Sequence, residues 1–293
     1  MTTNLHDKTK VKAFFDKDSN TFSYVVQDPT SSSCAIVDSV LDFDYASGGT
    51  YHKGADEIIA YVTTHKLKVE WLIETHVHAD HLSAAPYIQK KLGGKIGIGA
   101  QITKVQKTFS QVFNEGADFL HDGSQFDYLF QDGETFYIGE MQCNAIHTPG
   151  HTPACFTHVI GDAVFVGDTL FMPDAGTARA DFPGGDAGVL YDSVQKILAL
   201  PEEHRIFMCH DYCPNGRELK YQTTVKEQRE LNIHVKESIS KKAFVELRET
   251  RDKTLAMPRL ILPALQINMR AGHLPKPENN GLSYLKIPLN AFK

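Results

Sequence analysis

The chain has 293 residues, 42% of them apolar and 23% charged, an ordinary globular composition with enough apolar side chains for one large core and no support for extensive disorder. A net charge of −6 and a pI near 6.1 supply no broad cationic surface, which argues against nucleic acid as a partner. Residues 1–18 contain no apolar signal-like core, no apolar run approaches the roughly 18 residues that span a bilayer, and the scattered Cys34, Cys143, Cys155, Cys209 and Cys213 fit a reducing compartment, so a cytoplasmic protein with no membrane partner is expected.

Residues 21–40 alternate β-favouring runs with turn residues. Cys34-Ala35-Ile36-Val37 reads as a strand ending at Asp38, and Asp38 and Asp44 read as turn formers. Helical spacing follows over 56–65, a strand over 69–75, and a helix over 84–92 that Gly93-Gly94 stops. Residues 134–146 and 156–166 read as strands, the second folded back at Gly161-Asp162, a pair suited to a type II′ turn. Asp186 is placed to cap a helix carrying Val189, Leu190, Val194, Ile197 and Leu198, ending near Pro201. Residues 205–209 form a further predicted strand, and 225–231 and 241–255 predicted helices. The charges Lys241, Lys242, Glu246, Arg248, Glu249 and Arg251 are expected to face solvent. From Met257 onward Pro258, Pro263, Pro275, Pro277 and Pro288 predict an appendage that wraps the core as loops and short extended pieces.

The informative segment lies between the strand at 69–75 and the helix at 84–92. Thr75-His76-Val77-His78-Ala79-Asp80-His81 sets three imidazoles and a carboxylate close together on a loop, which points to a metal. Three later strands are likewise each followed by a metal-capable side chain: His151, Asp168 and His210. Aligned strand ends would bring these loops to one cleft. Cys209 reads as a small buried thiol.

His76-x-His78-x-Asp80-His81, then Thr148-Pro149-Gly150-His151-Thr152, Gly167-Asp168-Thr169 and His210-Asp211-Tyr212, resembles the metallo-β-lactamase fold superfamily over residues 21–235. The order is similar to glyoxalase II and to the persulfide (sulfur) dioxygenases; Arg179-Ala180-Asp181-Phe182, Gly184-Gly185 and the segment 262–270 resemble the latter. The resemblance implies an α/β fold, an αββα sandwich of two packed β-sheets flanked by helices. It implies a catalytic domain over 1–235 with a C-terminal extension, 236–293, packed on it. In this pattern His151 is the ligand, and His147 becomes a packed, hydrogen-bonded neighbour.

Two fillings of the cleft are implied. In the first, one Fe(II) per chain is held by His76, His151 and Asp168, with His78, Asp80, His81 and His210 orienting ligands or water around them. Two imidazoles and a carboxylate leave about three positions open on octahedral iron, enough for a substrate sulfur and dioxygen. In the second, His76, His78 and His151 hold one metal and Asp80, His81 and His210 another, bridged by Asp168, and zinc, one or two per chain, activates water for hydrolysis. The first is preferred: a persulfide dioxygenase oxidising glutathione persulfide or a related sulfane-sulfur thiol to sulfite. The alternative is a glyoxalase II-like hydrolase of a glutathione thioester. The implied partners are that thiol and dioxygen, and a homodimer is allowed.

Asp80, Arg179 and Asp181 are the expected supporting catalytic groups. Tyr212, Arg217 and Arg270 are the candidates for a substrate carboxylate. His234 stands where one dioxygenase pattern has an arginine that helps hold glutathione.

Overall fold

The computed structural model describes residues 8–291. The first half runs β1 (Lys10–Asp16), β2 (Thr21–Gln27), β3 (Ser33–Val37), β4 (Val40–Asp44), β5 (Gly49–Tyr51), α1 (Lys53–Thr64), β6 (Lys68–Ile73), β7 (Leu82–Ser83), α2 (Ala85–Leu92), β8 (Lys95–Gly99), α3 (Ile102–Val112) and β9 (Tyr128–Phe130). The second half runs β10 (Glu134–Ile138), β11 (Met141–His147), β12 (Phe156–Ile160), β13 (Ala163–Phe165), α4 (Ala187–Leu198), β14 (Arg205–Phe207), β15 (Gln222–Thr224), α5 (Val225–Leu231), α6 (Lys241–Asp252) and α7 (Ile261–Asn268).

Two six-stranded sheets, ordered β1-β2-β3-β6-β8-β9 and β10-β11-β12-β13-β14-β15, form the centre, and β5-β4-β7 make a small third sheet. The first sheet is antiparallel from β1 to β3 and parallel from β3 to β9; the second is antiparallel except for the parallel pair β13 and β14. The sheets share an aromatic interior that includes Phe22, Tyr24, Phe130, Phe136, Phe156, Phe165 and Phe207. Each such side chain contributes about 1.5–3 kcal/mol relative to exposure. Ile58, Ile88, Val105 and Leu265 bring α1, α2, α3 and α7 onto the other face of the first sheet. Leu190, Val194, Val225 and Phe244 bring α4, α5 and α6 onto the second. The layers are those of an αββα sandwich.

Local signals hold where a single residue type decides the geometry. Asp186 accepts a hydrogen bond from the Val189 amide at the start of α4, and Gly93 ends α2 at φ 75°. Gly161, at φ 58°, turns β12 into β13, and Asp162 keeps a negative φ, as a type II′ turn requires. The predicted strand over 134–146 proves to be a second hairpin of the same kind, turned at Gly139 with φ 59°.

Three expectations are corrected. The tail is not all loop: Ile261–Asn268 is a helix, with Pro263 in its first turn where a missing N–H costs nothing, and its side chains enter the first core. Arg248 does not face solvent; it is 1% exposed and pairs with Asp252 at 2.5 Å. Asp38 is more than a turn former, although its φ of 51° does turn the chain, because its buried carboxylate underlies the histidine loop.

Candidate metal centre

β3, β6, β11, β13 and β14 release their C-terminal ends at one rim, and the loops after them carry Asp38, residues 74–81, His151, Asp168 and His210. The predicted convergence is present. Backbone bonds join the sheets there, among them the Phe156 amide donating to the Thr75 carbonyl (2.9 Å) and the Phe22 amide to the Cys209 carbonyl (2.8 Å). Gly150 makes the His151 loop possible. Its φ is 133°, and a Cβ there would lie 2.3 Å from the Leu190 Cα at the start of α4.

The ligand atoms of His76, His151 and Asp168 lie within 4.8 Å of one another, and all three residues are buried. Asp168 Oδ2 is 3.8 Å from His76 Nε2 and 3.6 Å from His151 Nε2. Their neighbours set the tautomers. His151 Nδ1 donates to the Arg179 carbonyl at 2.8 Å, which leaves Nε2 with its lone pair toward the cluster. The Thr75 hydroxyl donates to Asp38 Oδ2 (2.8 Å), so its oxygen accepts from His76 Nδ1 (3.0 Å) and again leaves Nε2 free. Burial, then the neighbouring His78, hold the His76 imidazolium well below the ordinary range, so the ring is neutral as a ligand must be.

Asp38 also anchors His78, whose Nε2 donates to Asp38 Oδ1 at 2.9 Å with Glu74 Oε2 at 3.5 Å. Burial alone would raise the Asp38 carboxyl, but the adjacent His78 and His76 hold it at about 2. His210 lies between two carboxylates, its Nε2 3.0 Å from Asp80 Oδ2 and 3.2 Å from Asp168 Oδ1. Burial lowers its affinity for a proton, yet Asp168 and Asp80 outweigh that and raise it to about 9. His81 Nδ1 lies 3.4 Å from Asp80 Oδ1.

His76 Nε2, His78 Nδ1, His81 Nε2, His210 Nε2 and Asp168 Oδ1 are buried without a hydrogen-bonding partner, contacts between His210 and the carboxylates notwithstanding. A buried polar atom left without a partner carries a penalty of about 1–3 kcal/mol. Bunched in one place on nitrogen and carboxylate donors, they fit a metal ion. The residues His76, His151 and Asp168 suffice for a three-ligand site, and Asp80, His81 and His210 are arranged beside it.

A cavity of about 630 Å³ opens over this cluster, lined by Asp80, His151, Asp168, Arg179 and Tyr212 among others. Arg179 and Asp181 form a bidentate pair at 2.5 and 2.8 Å, and the backbone carbonyl of Arg179, not its guanidinium, touches His151. Tyr212 stacks on the His210 ring at 5.8 Å. Arg217 and Arg270 are not among the cavity-lining residues: Arg217 is held by Asp174 and Asp211, and Arg270 by Glu115, over the Phe119 ring. His147 is the packed neighbour expected, its Nε2 2.9 Å from the Pro153 carbonyl and its ring against Phe156. Cys209 is buried, and burial pushes its thiol well up. His234 accepts from the Thr177 amide at 3.0 Å, and burial, with Arg248 and Arg251 nearby, lowers it to about 4, so it offers no cation to a substrate.

Two supporting groups escaped the sequence reading. Asn268 of α7 donates to the carbonyls of His78 (2.9 Å) and His81 (2.8 Å) and accepts from the Ser83 amide (2.8 Å), clamping the histidine loop. Asp252 of α6 accepts from the Ala180 amide at 2.8 Å and, with Arg248 donating to the Thr177 carbonyl at 2.9 Å, fixes the loop that carries Arg179. A polar residue closing the apolar run 260–267 was the available signal for Asn268; nothing in the spacing of α6 marks Asp252.

Residues 16–210 match the model of the metallo-beta-lactamase superfamily. A probable metallo-hydrolase of Burkholderia pseudomallei is 53% identical over 292 residues, 96% of this chain and 99% of that protein. A protein named glyoxylase B2 from Dictyostelium discoideum is 49% identical over 293 residues, 99% of this chain and 100% of that one. A beta-lactamase hydrolase-like protein of Agrobacterium fabrum is 52% identical across 97% of this chain, which spans 65% of its length. The human mitochondrial persulfide dioxygenase ETHE1 is 29% identical over 265 residues, 89% of this chain and 88% of that protein. The crystal structure of ETHE1 from Myxococcus xanthus superposes with a TM-score of 0.72 at 26% identity, covering 90% of this chain and 100% of that one. With its fold, its histidine loop and its matched residues in agreement, the chain belongs to the metallo-beta-lactamase superfamily.

Proposed function

We propose that this chain is a mononuclear iron dioxygenase that oxidises the outer sulfur of a low-molecular-weight persulfide to sulfite. The observation that carries the reading is the three-residue set of His76, His151 and Asp168, whose ligand atoms lie within 4.8 Å of one another, while His78 groups with Asp80 and His81 and with Asp38 and Glu74. The likeness to persulfide dioxygenases in chain length covered and in fold supports it. The balanced reaction is RSSH + O2 + H2O → RSH + sulfite + 2 H+: the S–S bond breaks, the outer sulfur is oxidised and dioxygen is reduced.

An Fe(II) held by His76, His151 and Asp168 would supply the redox chemistry that brings dioxygen to react with the persulfide sulfur. The chain's own residues do the rest. Phe171 and Phe182 form apolar wall over the cluster, which keeps bulk water from the reacting sulfur. The Arg179 carbonyl and Thr75 hydroxyl hold His151 and His76 in the tautomers with Nε2 free. His210, lying between Asp80 and Asp168, is placed to hold a proton there.

A second reading, a binuclear glutathione thioester hydrolase, is favoured by the orphaned His78 Nδ1 and His81 Nε2 and by the relative named glyoxylase B2. Iron-loaded protein prepared without oxygen separates the two. Oxygen uptake matched one for one by sulfite with glutathione persulfide, absent in His151→Ala, is the expected result. Hydrolysis of S-lactoylglutathione with no sulfite would overturn the proposal.

A further inference from the structure

A second, smaller void borders the metal cluster. Leu265 of α7, Val105 and Phe109 of α3, and Ala79, His151 and Phe182 line it. Its apolar walls are buried, while Pro183, which also lines it, is exposed, so the void reaches from the surface to the His151 ring. At about 10 Å³ it just admits one water-sized molecule. Its two polar side chains are engaged elsewhere: His151 Nδ1 donates to the Arg179 carbonyl at 2.8 Å, and Thr152 Oγ1 accepts from the Ala154 amide at 3.2 Å with Cys155 Sγ at 3.1 Å. The Pro153 carbonyl is taken by His147. A water held there would want about two to four hydrogen-bonding partners and finds none among these groups, whereas apolar cavities stay dry and take up apolar guests such as xenon. Ala79, His151 and Phe182 also line the main cavity, so the two voids meet at these three side chains, where the Phe182 ring stands edge-on to His151 with centroids 5.2 Å apart.

We propose that this pocket is a binding site for dioxygen on its way to the cluster, separate from the cavity that takes the persulfide. This rests on the dioxygenase reading given above. A persulfide and its carrier, seated in the main cavity, would fill the approach to His151 and Asp168 from that side. Dioxygen, small and apolar, then needs another. The pocket discriminates in the opposite sense as well: an ionised persulfide would have to leave water for walls that offer it no partner. Leu265 and Val105, from different helices, set the width of the passage, and Phe182 stands where it joins the main cavity.

Crystals of the full-length, iron-loaded protein pressurised with xenon, an apolar stand-in for dioxygen, should hold one xenon bounded by Leu265, Val105 and Phe182. Leu265→Phe and Val105→Leu, which fill the pocket from two helices, should each exclude it. In oxygen-electrode assays each variant is expected to lower kcat/KM for oxygen about tenfold, with KM for the persulfide and the iron content unchanged. Two variants are used because overpacking at one position can disturb the fold. Xenon absent from the wild-type pocket, or an oxygen kcat/KM unmoved in a variant that excludes xenon, overturns the assignment while sulfite formation by wild type keeps the dioxygenase reading. No sulfite from wild type, with xenon bound, removes that reading and the assignment to dioxygen with it.

Discussion

At the scale of single residues, the site is a set of lone pairs aimed by groups that do not themselves meet the metal. Asp38 fixes two rings, His78 directly and His76 through Thr75. Asp38→Asn replaces an acceptor that two donors need and is expected to lower metal affinity about 10–100-fold, read as metal retained after dialysis against a graded chelator. Retention equal to wild type would show that the rings are set some other way. Asn268→Ala should act in the same direction by freeing the His78 and His81 carbonyls, with intact far-ultraviolet dichroism separating this from unfolding. The metal-capable residues were legible because their types are rare and chemically specific. Asp38 and Asn268 were not, since a carboxylate after a strand and an amide near a helix end have common local uses, and only tertiary contact gives them another.

At the scale of elements, α6 is the most instructive. Its exposed charges suggested a solvated helix, yet Arg248 is drawn in to pair with Asp252 beneath the 177–180 loop. Periodicity marks the apolar face of a helix but cannot mark an ion pair buried on it. Arg248→Ala, which strands Asp252, is expected to cost about 3–5 kcal/mol. The double variant Arg248→Met, Asp252→Leu, which removes both charges and keeps apolar volume, should cost less; equal costs in chemical denaturation would contradict the pairing.

β12 carries a different liability. His158 is fully buried beside Phe130 and Phe136, both ring nitrogens lack partners, and burial lowers it to about 4. Below the ordinary histidine range the unfolded chain takes up a proton that the folded chain refuses. Stability is therefore lost as pH falls from about 6.5 toward 4, by up to ~3 kcal/mol for this group. His158→Leu should flatten that part of the profile, and an unchanged acid limb would rule the group out.

At the scale of the whole molecule, the expectation of a sandwich came from the family resemblance; hairpin glycines, an Asp cap and β-branched runs act locally and so marked only its individual elements. The tail was misread because its prolines signal irregular backbone, while α7 owes its existence to the apolar surface of the first sheet's helices on which it lies. Removing residues 257–293 should expose that surface and release the histidine loop, giving a dye-binding, metal-poor protein rather than a trimmed active one; a truncated form with full metal content would refute this.

The direct test of the whole is metal stoichiometry in the full-length protein, expressed with iron and purified without oxygen. One iron per chain is expected, lost in His76→Ala, His151→Ala and Asp168→Ala and largely kept in His78→Ala and His210→Ala. Two metals per chain, one of them disappearing with His210→Ala, would contradict the three-ligand centre.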